Sequence, residues 1–146
     1  MQAGREIKFR VWDKEQNKML GPNFDREQYA IVSYNGLALL DITREDEDGY
    51  DYEMDVEWLQ YTGLSDMNGK EIYEGDVIEM ECGCDSEYGC SHGPYRAVVK
   101  WSAESASFEL EGLHGRGAYV EFEDSYEDEY LVIGNIYENP ELLEAV

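Results

Sequence analysis

Histidine, cysteine, proline and basic residues are all scarce in this chain. Its 146 residues include two His, three Cys, three Pro and 11 Lys plus Arg. Two histidines leave little imidazole for acid–base work. The cysteine count is odd, and all three lie between Cys82 and Cys90, which argues against a secreted disulfide framework. No run approaches the roughly 18 apolar residues of a transmembrane helix. Met1 to Arg10 is polar and lacks the apolar core of a secretory signal. The expected location is a reducing cytoplasm, without a membrane partner.

Against the 11 bases stand 34 acids, for a net charge of −23. Nucleic-acid binders neutralise phosphates with Lys and Arg, so direct DNA or RNA binding is not expected. Anionic membrane surfaces are not expected partners, for the same reason. Divalent cations and basic protein surfaces fit the charge better. The distribution is uneven. Residues 1–26 hold six bases and four acids, whereas residues 27–146 hold five bases and 30 acids. A basic end and an acidic body would attract one another between subunits. A solvated, basic first strand accounts for the same residues.

What the chain has in quantity is aromatic side chains: 12 Tyr, four Phe and three Trp. Disordered acidic segments are poor in these, and aromatics supply large buried areas. A chain of this length buries roughly 70% of the surface its unfolded form exposes. It needs neither disulfide nor metal simply to fold.

The hydrophobic period is two along most of the chain. Ile7, Phe9 and Val11 alternate with Lys8, Arg10 and Trp12, as in a half-buried strand. Asp13 to Met19 reads as a turn. Tyr29 to Val32 and Leu37 to Ile42 read as a hairpin around Asn35-Gly36. Glu45 to Gly49 reads as an acidic exposed tip, and Tyr50, Tyr52 and Met54 alternate with Asp51, Glu53 and Asp55. Val56 to Tyr61 reads as a short helix or a single turn, with Asp55 as its cap. Gly63 to Gly69 is rich in turn residues. It divides a β-rich N-terminal part, residues 1–62, from a C-terminal part, residues 63–146.

Five short strands are expected in the C-terminal part. They start at Val77, Tyr95, Ala106, Ala118 and Tyr130, with a terminal helical turn over Glu141 to Ala145. Compact turns between short strands fit a small half-open barrel of the SH3-like kind. The fold class is therefore mainly β.

Three blocks resemble a known family. "REIKFRVWDKEQNKM" at Arg5–Met19 resembles the opening of the YopX family of phage and prophage proteins. "LQYTGLSDMNGKEIYEGDVIEM" at Leu59–Met80 is similar to its central signature, and "VIGNIYENPELL" at Val132–Leu143 to its C-terminal one. The blocks come in the family's order and span nearly the whole chain. The resemblance implies a phage or prophage protein with a β-rich body, an SH3-like C-terminal part and self-assembly into a homo-oligomer. It implies no activity. Read physically, Gly63, Gly69, Gly75 and Gly134 sit at tight turns or close approaches. Trp12, Tyr61, Ile72, Tyr73, Val77, Ile136 and Tyr137 read as core. Arg44–Tyr52, the insert Cys82–His92 and Glu121–Tyr130 depart from the signatures.

The candidate chemistry is thin. Cys82, Cys84, Cys90 and His92 form Cys-x-Cys followed by Cys-x-His. Residues two apart on a strand share a face, and a turn through Asp85–Gly89 would bring the pairs together. Thiolates plus imidazole suit a structural Zn²⁺. A polar loop with reduced, ligand-free thiols is the plain alternative. Asp46, Asp48 and Asp51 are the nearest approach to a calcium loop, but lack the EF-hand's Gly and Glu positions. His114 and Arg116 lie in "GLHGRG", without the Lys-Ser/Thr ending of a phosphate loop. No Ser-His-Asp logic is present.

The expected function is non-enzymatic: a phage-encoded structural or protein-interaction protein that self-assembles, with no catalytic residues and no obligatory cofactor. Two alternatives share the same residues. One is an acidic DNA mimic that inhibits a basic host protein which binds nucleic acid. The other is a metal-stabilised binding module.

Overall fold

A computed structural model of the chain describes residues 6–33, 35–80, 95–113, 120–121 and 129–143. Among the described residues every regular element longer than one turn is a strand. The fold class is all-β. The chain falls into two compact units, one of Lys8–Leu59 and one built on Gln60–Val146.

The Lys8–Leu59 unit opens with β1 (Phe9–Asp13) and β2 (Lys18–Leu20), which pair through Val11–Leu20, Trp12–Met19 and Asp13–Lys18. The turn between them is built by Asp13. Its Oδ1 accepts the N–H groups of Glu15 at 2.9 Å and Gln16 at 3.3 Å, and its carbonyl accepts that of Asn17. β3 (Tyr29–Ser33) and β4 (Leu37–Glu45) form the hairpin expected from Asn35-Gly36, both of which have positive φ. β5 (Asp51–Glu53) returns beside β4, giving a three-stranded sheet ordered β3-β4-β5. Val11, Leu39 and Leu59 are its fully buried aliphatic residues.

The short helix expected over Val56 to Tyr61 is not formed. That segment opens β6 (Val56–Ser65), the longest strand. Val56, Trp58 and Gln60 alternate with Glu57, Leu59 and Tyr61, and Leu59 and Tyr61 are buried. The β-branched and aromatic content and the period of two both favour a strand. Gly63 lies inside this strand rather than in a connector.

In the second unit β6 pairs with β7 (Glu71–Tyr73) around the turn at Asn68-Gly69. β8 (Asp76–Met80), β9 (Tyr95–Ser102), β10 (Ser107–Gly112), β11 (Val120–Glu121) and β12 (Leu131–Asn135) make one five-stranded sheet. Its order is β11-β10-β9-β8-β12. These are the five strands expected of the C-terminal part. The sheet is partly curled and open, with β11 and β12 at opposite edges. A single turn of 3₁₀ helix, Pro140–Leu143, follows β12. The pairs β1–β2, β3–β4, β4–β5, β6–β7, β8–β9, β9–β10, β10–β11 and β8–β12 are antiparallel.

The core of this unit is Ile72, Ile78, Ala97, Val99, Phe108, Leu110 and Tyr130, with Leu64, Met80, Tyr95 and Val132 packed against it. Of the residues expected in the core, Tyr61, Ile72, Tyr73 and Val77 are buried, while Trp12, Ile136 and Tyr137 are half-buried. Two glycines are required by geometry. Gly75 has φ +88°, and a Cβ there would stand 2.9 Å from the Tyr137 ring. A Cβ at Gly134 would meet Asn139 Oδ1 at 2.5 Å and Leu142 Cδ1 at 2.9 Å.

Candidate functional site

The metal cluster expected from the sequence, Cys82, Cys84, Cys90 and His92, lies outside the described residues, as do His114 and Arg116. Among the described residues no group of three or more His, Cys, Asp or Glu side chains is arranged to hold a metal ion. Asp46 and Asp48 sit at the exposed tip between β4 and β5, with Asp51 opening β5. There Asp46 Oδ1 accepts the N–H groups of Asp48 at 2.9 Å and Tyr50 at 3.0 Å. That carboxylate organises its own turn.

Several carboxylates do the same work while buried. Asp41 accepts the Thr43 N–H at 3.0 Å and the Thr43 hydroxyl at 2.6 Å. The hydroxyl bond is the main cause that holds the Asp41 carboxyl below the usual range. Asp76, 1% exposed, accepts the N–H of Tyr73 at 2.8 Å across the β7–β8 turn.

Asp66 is the most connected of these acids. Its Oδ1 accepts the N–H groups of Asn68 and Lys70, each at 2.9 Å, which closes the β6–β7 turn. Its Oδ2 accepts the N–H of Val132 at 3.0 Å, and the Met67 N–H donates to the Tyr130 carbonyl at 2.9 Å. One carboxylate thus ties a turn to the outer edge of β12. Burial pushes its pKa up. The N–H donors of Val132, Lys70 and Asn68, with the Lys70 charge, outweigh burial, so the net shift is downward. Sequence reading placed Asp66 only within a turn-rich stretch. The Asp-x-Asn-Gly spacing is the signal that marks it as a turn-capping acid.

Among the described residues two surface depressions offer places where another molecule can sit. The first, about 370 Å³, belongs to the Lys8–Leu59 unit. Leu37, Leu39, Met54, Val56 and Trp58 line it, with Glu53 and Asp55 among them. Trp58 is held edge-on by Phe9, ring centres 5.9 Å apart. Asp55 and Glu57 lie 3.7 and 4.0 Å from the Lys14 ammonium. The second, about 250 Å³, belongs to the other unit. Gly75, Val99, Lys100, Trp101, Ile136 and Tyr137 line most of it, and Glu74 adds a carboxylate. Trp101 is 47% exposed and packs edge-on against Phe108, while Lys100 pairs with Glu111. Neither lining contains a thiol, an imidazole or a Ser/Thr hydroxyl. An aromatic floor beside carboxylates suits an apolar or cationic side chain.

No helix among the described residues is long and apolar enough to cross a membrane. No curated protein matches the chain. Among solved structures it is similar to protein EF1440 from Enterococcus faecalis, at 29% identity. That match covers 97% of this chain and 100% of the other, with a TM-score of 0.60. Protein yopX from Bacillus subtilis shares the fold at 21% identity, a TM-score of 0.58 and coverage of 95% and 97%. The family model described as YopX protein matches residues 8–144, which takes in nearly all of the three sequence blocks and both compact units almost entirely, and the chain therefore belongs to the YopX family.

Proposed function

We propose that this is a phage-encoded structural or interaction protein that acts through its surfaces, self-assembles, and carries out no chemical step. The observation that supports it best is the make-up of the two depressions. Their linings offer aromatic and aliphatic area with carboxylates and one ammonium, Lys100, and no thiol, imidazole or Ser/Thr hydroxyl. The resemblance to phage and prophage proteins supplies the biological setting. The C-terminal sheet, five short antiparallel strands curled around one core, is read as an open relative of the SH3-like barrel. A net charge of −23 favours basic protein partners and leaves a second reading in view, in which the acids imitate a phosphate backbone and occupy a basic host protein.

The test is capture from a host lysate by the immobilised full chain at moderate salt, with bound proteins identified by mass spectrometry. Moderate salt matters because any polyanion collects basic proteins when screening is weak. Recovery of its own subunits or of phage proteins is expected. Recovery of a single nuclease, polymerase or nucleoid protein, displaced by added DNA, would replace this reading with the inhibitor.

A further inference from the structure

The outer strands of the sheets are defended, with one exception. An edge strand presents unpaired N–H and C=O groups, and proteins blunt it with charge, cover or brevity. Among the described residues β2 has Lys18, β5 has Asp51 and Glu53, and β7 has Glu71, while β11 is two residues long. β12, Leu-Val-Ile-Gly-Asn, has no charge, but the Asp66-Met67 turn covers it through Val132 N–H and the Tyr130 carbonyl.

β3 has neither protection. Its sequence is Tyr-Ala-Ile-Val-Ser, five residues without a charge, in a chain with 34 acids. The Ile42 N–H donates to the Gln28 carbonyl. In an antiparallel ladder, bonded pairs alternate with non-bonded ones. The inward-bonding residues of β3 are therefore Ala30 and Val32, opposite Leu40 and Ala38. Tyr29, Ile31 and Ser33 direct their backbone groups outward. Among the described residues only the Tyr29 N–H is taken, by the Asp25 carbonyl. Ile31 is 49% exposed, and Leu37, diagonal to it on the same face, is 42% exposed.

We infer that β3 is a dimerisation edge, where a second copy of this chain adds its own β3 antiparallel about a two-fold axis at Ile31. The strand is self-complementary in that register. Ile31 of each copy exchanges both backbone bonds with Ile31 of the other, and each Ser33 N–H meets the other copy's Tyr29 carbonyl. The same patch serves both subunits, as an isologous contact requires. Charge selects this occupant. A cationic partner finds no carboxylate on β3, whereas two copies of a −23 chain repel least where they meet through an uncharged seam. The inference rests on the self-assembly in the proposed function and names its surface.

Sedimentation of the full chain across a range of protein and salt concentrations tests it. Wild type is expected to dimerise, and more tightly as salt rises, because screening relieves like-charge repulsion. Ile31→Lys places a charge on the seam, and Ser33→Pro removes an outward N–H that proline tolerates on an edge strand. Each is expected to stay monomeric where wild type dimerises, with an unchanged circular dichroism spectrum and a melt matching that of wild type at concentrations too low for it to dimerise. If Ile31→Lys disturbs folding, Ser33→Pro alone carries the decision. Wild type that is monomeric at every salt concentration overturns both this edge and self-assembly. Variants that associate like wild type overturn the edge alone and leave self-assembly standing. Association that weakens with salt overturns the edge in favour of a contact between opposite charges.

Discussion

β12 and β3 are both uncharged edge strands, yet one is closed and the other open. At β12 a buried carboxylate from the β6–β7 turn accepts the Val132 N–H, and the neighbouring Met67 N–H meets the Tyr130 carbonyl. At β3 the outward groups of Ile31 and Ser33 meet nothing among the described residues. The difference teaches that lack of charge on an edge has two meanings. It marks either a seam already sealed within the chain or a seam left for another chain.

The sharpest way to break that contrast is Asp66→Ala. It removes the acceptor for three backbone N–H groups and uncovers β12 at once. A loss of roughly 2–4 kcal/mol is expected in urea unfolding, together with new self-association through β12. Gly134→Ala attacks the far end of the same strand, where a methyl group would collide with Asn139 and Leu142. About 1–3 kcal/mol is expected to be lost, without uncovering the edge.

Acid offers a graded version. Asp66 and Asp41 both have pKa values lowered on folding. Their contribution is complete above the ordinary aspartate value of about 3.9 and is lost as pH falls through the folded values below it. Stability should therefore hold near neutrality and decline below roughly pH 4. Asp66→Asn should flatten that decline, read as denaturation midpoint against pH. The smallest effects belong to exposed pairs. Arg96 donates to Glu79 at 3.0 Å directly across β8–β9, and both side chains are part-exposed. Arg96→Ala should cost only about 0.2–1 kcal/mol and leave both edges as they were.

Much of the strand pattern is legible in the sequence, because a period of two and Asn-Gly or Glu-Gly turns report on backbone geometry locally. The β3–β4 hairpin and the five strands of the C-terminal sheet belong to that class. The first half of β6 was harder. Val-Glu-Trp-Leu-Gln-Tyr is short and follows an aspartate able to cap a helix, so the local signals conflict and pairing within the sheet decides. The role of Asp66 was hidden for another reason. Its bond to Val132 spans 66 residues, and no local pattern encodes such a partner. The bare edge of β3 was equally invisible, since being an edge is a property of the sheet and not of the strand.

The tryptophans have a practical consequence. Trp12 and Trp58 fall in the Lys8–Leu59 unit and Trp101 in the other. Intrinsic emission is thus a two-channel reporter. Trp101→Phe would leave a signal from the first unit only, and a double Trp12→Phe, Trp58→Phe chain would leave a signal from the second only. Overlaid melting curves from the two proteins would show one cooperative transition, and separated curves would give each unit its own midpoint.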